Sequence, residues 1–208
     1  MKLLINHKNT IFDGEKPLLH LEAIRENESC KFMFENGWVP FNNLWYQTCS
    51  SRLELKQISN SRKKQVDKIN VSYKTNNDKI LIPKNIEDYK SNNYLDFFFD
   101  DIFWGRVNFY EDQIFYSVMN NVHHKKSYGT LSFYYLIDKY KNNYKYLYIA
   151  DFFEQFKYKA NLPNFEFWNG ISWEKHERSE WNCKNWKSHS TKIWRRYNCK
   201  SKTLLEWR

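Results

Sequence analysis

The chain has 208 residues, enough to bury a real core in one large domain or two small ones. Its 16 Phe, 15 Tyr and 9 Trp supply apolar area for that core, while 5 Gly and 4 Pro leave few punctuated turns. No run approaches the ~20 apolar residues of a membrane span, and MKLLINHKNT turns polar too early for a signal peptide. The four cysteines (Cys30, Cys49, Cys183, Cys199) form no C-x-x-C pair, which suits a reducing compartment better than a disulfide scaffold. A cytoplasmic monomer without membrane contact is the expectation.

In chain order, Lys2–Asn6 reads as a short strand, followed by a polar loop and an acidic helical stretch near Leu18–Asn27. GWVPFNNLWYQTC (Gly37–Cys49) predicts strand, turn and strand, broken by Pro40 and Asn42–Asn43. SSRLELKQISNSRKKQVDKI alternates at Leu53 and Leu55, then starts a basic helix behind Ser59 and Ser61. Residues 86–100 read as an amphipathic helix ending in the apolar–acidic knot YLDFFFDD. FWGRVNFY and QIFYSVMNNV form an aromatic hairpin around Glu111–Asp112, a poor two-residue turn pair that predicts a longer loop. GTLSFYYLIDKYKNN puts Leu131, Tyr134, Tyr135 and Asp138 at helical spacing, and YKYLYIAD follows as a buried strand. The fold class is mixed α/β. Residues 1–30 are an N-terminal segment, 31–173 the main domain and 174–208 a basic, Trp-rich extension.

Charge is clustered along the chain. Residues 52–84 carry +6 and 174–208 carry +6, whereas 1–51 carry −1 and 85–173 carry −2. Clusters of Lys and Arg are what a polyanion-binding face needs, because each phosphate neutralised releases a counterion. The same pattern also serves a solubilising surface.

Several constellations could bear chemistry. HHKKSYGT (His123–Thr130) joins a strand to a helix, and Lys126, Gly129 and Thr130 could cradle a phosphate there; a plain basic loop reads equally well. His123 and His124 are adjacent and would point to opposite faces of a strand. His176, Cys183, His189 and Cys199 match no zinc spacing, so no metal and no cofactor are expected. Asp151 ends an apolar strand at the rim of a sheet, a usual place for sites in open α/β sheets. There its carboxylate can orient or deprotonate an incoming amine, or simply cap a helix after it. Glu166 offers a second carboxylate.

Read in order, four stretches resemble the arginyl- and leucyl-tRNA–protein transferases. GWVPFNNLWYQTC resembles that family's G-[FW]-R-R-[FS]-G…Y-x-P-x-C entry, and SSRLELKQISNSRKKQVDK its C-x-P-x-R…F-x-x-S-x-S-Q-R-R segment. SYGTLSFYYLIDKYKNNYKYLYIADF is similar to G-x-G-T-x-[SM]-x-L-x-x-I…Y-[LV]-Y-L-G-Y-[WY], and FKYKANLPNFEFWNGISW to K-M-x-Y-K-x-x-F-x-P-x-E…[DN]-G-x-W. The resemblance covers about residues 33–173. It implies an acetyltransferase-like (GNAT-like) fold, with a mostly antiparallel sheet flanked by helices. It also implies transfer of Arg or Leu from charged tRNA to the N-terminal amine of a protein or peptide, as in N-end-rule modification. On this reading Asp151 and Glu166 are catalytic, while Tyr148, Tyr158, Lys159, Gly129 and Thr130 line the substrate pocket. Arg52, Arg62, Lys63, Lys64 and Lys126 would hold tRNA phosphates, with Trp181, Trp186 and Trp194 of the tail available for stacking.

The sequence departs from the family in several places. Only Cys49 fits its N-terminal cysteines, the Gly-Tyr after its strand is here Ala150–Asp151, and its arginines in Y-K-x-R-F-R-P are Asn161 and Pro163. Two alternatives stay open: an acyl-CoA-dependent enzyme of the same fold, with Lys126–Gly129 as its pyrophosphate loop, and a non-catalytic RNA-binding domain.

Overall fold

Alternating aromatic and polar residues put most of the described chain into strands. The computed structural model describes residues 1–4, 11–13, 16–18, 21–41, 44–47, 50–74, 93–99, 101–118, 128–151, 159–168 and 172–175. The first part holds β1 (Lys2–Leu4), β2 (Ile11–Asp13), β3 (Lys16–Leu18), β4 (Leu21–Ile24), α1 (Cys30–Glu35), β5 (Trp38–Phe41) and β6 (Leu44–Gln47). Next come β7 (Ser50–Glu54), α2 (Asn60–Val66), β8 (Val71–Lys74), β9 (Tyr94–Phe99), β10 (Ile102–Tyr110) and β11 (Gln113–Val118). Helix α3 (Tyr128–Tyr140), β12 (Tyr146–Asp151), β13 (Phe165–Trp168) and β14 (Trp173–Lys175) complete the set.

An eight-stranded sheet in the order β14-β13-β7-β12-β11-β10-β9-β8 forms the centre. Its neighbours run antiparallel except β11 and β12, which are parallel. A parallel pair needs a crossover connection, and α3 lies on it. One sheet face packs on the helices: Leu53, Phe97, Phe99, Val107, Ile114, Leu147, Ile149 and Phe165 meet Ile58 and Val66 around α2 and Phe133, Leu136 and Ile137 of α3. The opposite face meets a second layer, the four-stranded sheet β1-β4-β6-β5 with α1. There Phe115 and Tyr148 pack among Met33, Phe34, Trp38, Val39 and Trp45. The architecture is mixed α and β, dominated by sheet.

Three local expectations are corrected. The acidic stretch near Leu18–Asn27 is strand β4, because β1 and β6 both pair with it and tertiary pairing outweighs helical propensity. The helix expected over 86–100 is a strand from Tyr94 onward; residues 86–92 lie outside the described residues. Phe97 and Phe99 enter the helix-side core while Asp96 is buried on the other face, a period of two that only a strand supplies. The hairpin loop is Glu111–Asp112 alone, since Tyr110 pairs with Gln113. Glu111 accepts its positive φ of 55° because its carboxylate is engaged: Oε2 receives the Cys30 N–H at 3.1 Å and Oε1 lies 3.4 Å from Arg25 Nη1.

The short strand at Lys2, the pair around Asn42–Asn43, the basic helix behind Ser59, the helix across Leu131–Asp138 and the strand ending at Asp151 are all present. No described helix is long and apolar enough to cross a membrane.

Candidate functional site

Strand register lines up one row of side chains across the face opposite α2 and α3. Glu166 pairs with Arg52, Arg52 with Tyr148, Tyr148 with Phe115, Phe115 with Asn108, and Asn108 with Tyr94. Directly paired residues on neighbouring strands share a face, so residues from six strands stand side by side. Three of them, Arg52, Tyr148 and Glu166, are residues that the sequence reading assigned to the site.

At the β13–β7–β12 end of the row is a buried ion pair. Arg52 Nε donates to Glu166 Oε2 at 2.7 Å, and Arg52 Nη2 also lies 2.7 Å from that oxygen. The guanidinium is held between aromatic rings, 3.6 Å from the Tyr146 centroid and 4.2 Å from that of Trp173. Its Nη1 lies 3.5 Å from the Tyr148 hydroxyl. Burial pushes the Tyr148 phenol up to about 12 against a weaker opposing pull from Arg52, so it is a neutral hydroxyl at physiological pH.

This arrangement fixes what each group can do. Arg52 is 7 % exposed, so its charge is spent on Glu166 and the rings rather than displayed toward a polyanion. The Glu166 carboxylate, in turn, holds Arg52 in place. A carboxylate bound to two guanidinium nitrogens is a firm positioning group.

The parallel strands part just beyond the row. β11 and β12 are in register at Ile114–Leu147 and Phe115–Tyr148 and, among the described residues, not further toward their carboxyl ends. The β12–β7 register also breaks between Tyr148 and Asp151. Side chains take over there: the Ile149 carbonyl accepts from Lys159 Nζ at 2.9 Å and Ser51 Oγ at 3.3 Å. Lys159 is buried in a short 3₁₀ turn that leads into β13. Asp151 closes β12 opposite Ser50 at this carboxyl edge. The start of α3, with Gly129 and Thr130, follows the carboxyl end of β11 along the chain, the edge at which open α/β sheets expose their sites. A methyl group on Gly129 would have room, 4.0 Å from Trp104, so packing does not require the glycine.

The end of α1 is seated on the same region. Gly37 has φ +77°, and a Cβ there would stand 2.4 Å from the Trp168 ring. Its carbonyl accepts from Ser50 Oγ at 2.6 Å, and the Glu35 carbonyl accepts from Trp173 Nε1 at 2.9 Å. Among the other residues expected at a site, Arg62, Lys63 and Lys64 are exposed on α2. Arg62 donates to Gln65 at 2.9 Å and lies 5.0 Å over the Tyr134 ring. Lys63 bonds Asp67 at 3.1 Å and Asp138 of α3 at 3.0 Å, which raises its pKa and ties the two helices together. Tyr158 and Lys126 lie outside the described residues, as do Cys49, Cys183, Cys199 and the extension from residue 176. Among the described residues no three His, Cys, Asp or Glu side chains converge as metal ligands.

The sequence reading passed over a second buried polar group on the same face. Arg106 Nε and Nη2 donate to Asp96 Oδ1 and Oδ2 at 2.7 and 2.9 Å, and Asn108 Nδ2 donates to Ser117 Oγ at 3.3 Å. The signal lay in FWGRVNFY, where Arg106 and Asn108 take alternate positions in an otherwise aromatic run. Such residues ordinarily mark a solvated face. Only the structure shows that this face is buried. Comparison of the chain with models of known protein families and with curated proteins finds no match.

Proposed function

We propose that the chain is an aminoacyltransferase that takes its acyl group from a charged tRNA and joins it to the N-terminal amine of a protein or peptide. One observation carries the reading: the four stretches that resemble the transferases converge, though they span residues 37–173. Gly37 sits on Trp168, Ser50 bonds Gly37, Arg52 bonds Glu166, and Lys159 bonds Ile149. Contacts between separate motifs are what a shared site needs, whereas unrelated surface wording would have no reason to meet.

The reaction is aminolysis of an ester. A neutral amine attacks the carbonyl carbon, a C–N bond forms and the ester C–O bond breaks. The nitrogen gives up one proton, and the released ribose hydroxyl takes one. Most of the barrier reduction comes from orienting amine and ester and from stabilising the oxyanion. Asp151, at the carboxyl end of β12, is the group assigned to orienting and deprotonating the amine. Lys159 and Ser51 hold the Ile149 carbonyl and thereby fix the strand end that bears Asp151. Glu166 and Arg52 brace β13 against β7 as positioning residues. Arg62 and Lys64 on α2 are the described cations for the tRNA backbone.

The direct test is incubation with a panel of charged tRNAs and peptides beginning with Asp, Glu or Leu. Transfer of an amino acid to the peptide N-terminus is expected. Asp151→Asn should lower kcat by about 100-fold or more while tRNA affinity is retained. No transfer from any charged tRNA, with turnover of acetyl-CoA instead, would replace this reading by the acyl-CoA one.

A further inference from the structure

The Asp96–Arg106 pair is more completely buried than the Arg52–Glu166 pair, each residue being 1 % exposed. Asp96 engages Arg106 through Nε and Nη2, and the Tyr94 ring lies 3.8 Å from the guanidinium carbon. Nη1, with two N–H donors, has no hydrogen-bond partner among the described residues. A buried donor on a charged group that goes unused is costly, so it calls for a functional account.

Its surroundings suggest one. Register places Arg106 opposite Ser117 and Asp96 on either side, and Asn108 bonds Ser117 from the next position on the same face. Ser117 belongs to the part of β11 that has already left β12. Arg106 is thus one strand spacing, ~4.8 Å, from the place where the parallel pair parts. Because Asp96 neutralises Arg106, the array offers directed hydrogen-bond donors without net charge. That chemistry suits an oxygen on an sp² carbon held in the plane of the guanidinium.

We propose that Arg106 Nη1, with Ser117 and Asn108 at the neighbouring register positions, forms a binding subsite for the carbonyl or carboxylate oxygen of a small ligand. Asp96 is its positioning residue and Tyr94 its stacking floor. Occupancy of this subsite does not depend on the aminoacyl-transfer reading.

The test uses the full chain labelled with ¹⁵N-arginine and two probes, N-acetylglycine for a carboxylate and N-acetylglycinamide for a neutral carbonyl. The Arg106 side-chain resonance is identified by its loss in Asp96→Leu/Arg106→Met. That exchange removes both charges together and commonly leaves stability unchanged or improved. Arg106→Lys supplies the identification if the double variant does not fold. The expected result is a saturable shift of the Arg106 resonance with at least one probe, and affinity lower by about tenfold or more in Arg106→Lys. The amide alone would assign a carbonyl ligand, and N-acetylglycine alone a carboxylate. An Arg106 resonance unmoved by both probes to their solubility limits overturns the proposal and makes the pair purely structural. Activity on charged tRNA without a shift would sink this subsite and leave the transferase reading standing; a shift without transfer would do the reverse.

Discussion

At Gly37 two independent constraints meet: a left-handed backbone and a Trp168 ring where a side chain would begin. Gly37→Ala should therefore destabilise the fold by about 2 kcal/mol or more, measured by urea unfolding, since both strain and overpacking oppose it. Arg52 and Glu166 make a second case. Arg52→Met leaves a buried carboxylate uncompensated and is expected to cost about 3–5 kcal/mol, whereas Arg52→Met/Glu166→Leu should recover most of that loss. Equal losses in the single and double variants would show that the rings of Tyr146 and Trp173, not the charges, carry the contact. Cys30 adds a pH dependence. Burial raises its thiol from the usual 9.0 to about 11, so the unfolded chain ionises first as pH rises. The contribution is complete below 9.0 and lost on passing about 11. Denaturation midpoints should fall across that window, and Cys30→Ala should lack that part of the fall.

The elements differ in how readily the sequence announced them. The hairpin β10–β11, the helix α3 and the strand β12 were legible because their periodicity is long and uninterrupted. β4 and β9 were misread because four to six residues with charged neighbours fit a helical turn as well as a strand, and only a pairing partner decides between them. The tight Glu111–Asp112 turn was illegible for a different reason. Its acceptability depends on Cys30 and Arg25, which lie more than eighty residues earlier in the chain. The site divides in the same way. Asp151 could be found from the end of an apolar strand, but the partnership of Arg52 with Glu166 spans 114 residues and no local pattern encodes it. Arg106 was missed because a polar position in a strand looks solvated until its burial is known.

On the scale of the whole molecule, charge is the property most readily misjudged from a linear count. Arg52 belongs to a basic segment, yet its charge is internal, and Lys63 is engaged by two carboxylates. The electrostatic surface offered by α2 is smaller than the +6 of residues 52–84 suggests. On the proposed function, Arg62→Glu/Lys64→Glu should weaken tRNA binding and flatten its dependence on salt, with the slope of log K against log salt reduced by about 1–2. An unchanged slope in filter-binding or anisotropy titrations would remove α2 from the proposed tRNA contact.

The position of β7 has a consequence for how the chain is made. Its two sheet neighbours, β12 and β13, are synthesised roughly a hundred residues after it. From emergence until then, β7 carries Leu53 into no completed core and presents two unpaired edges, the arrangement most prone to wrong association. The hairpin β10–β11 and the helix α3 are local and can form early; closure of the sheet must wait for a strand to dock on each side of an older one. Such non-local closure is slow. Assembly of the Arg52–Glu166 pair is therefore a late folding event, and its completion would report that the newly made chain has escaped its most vulnerable stage.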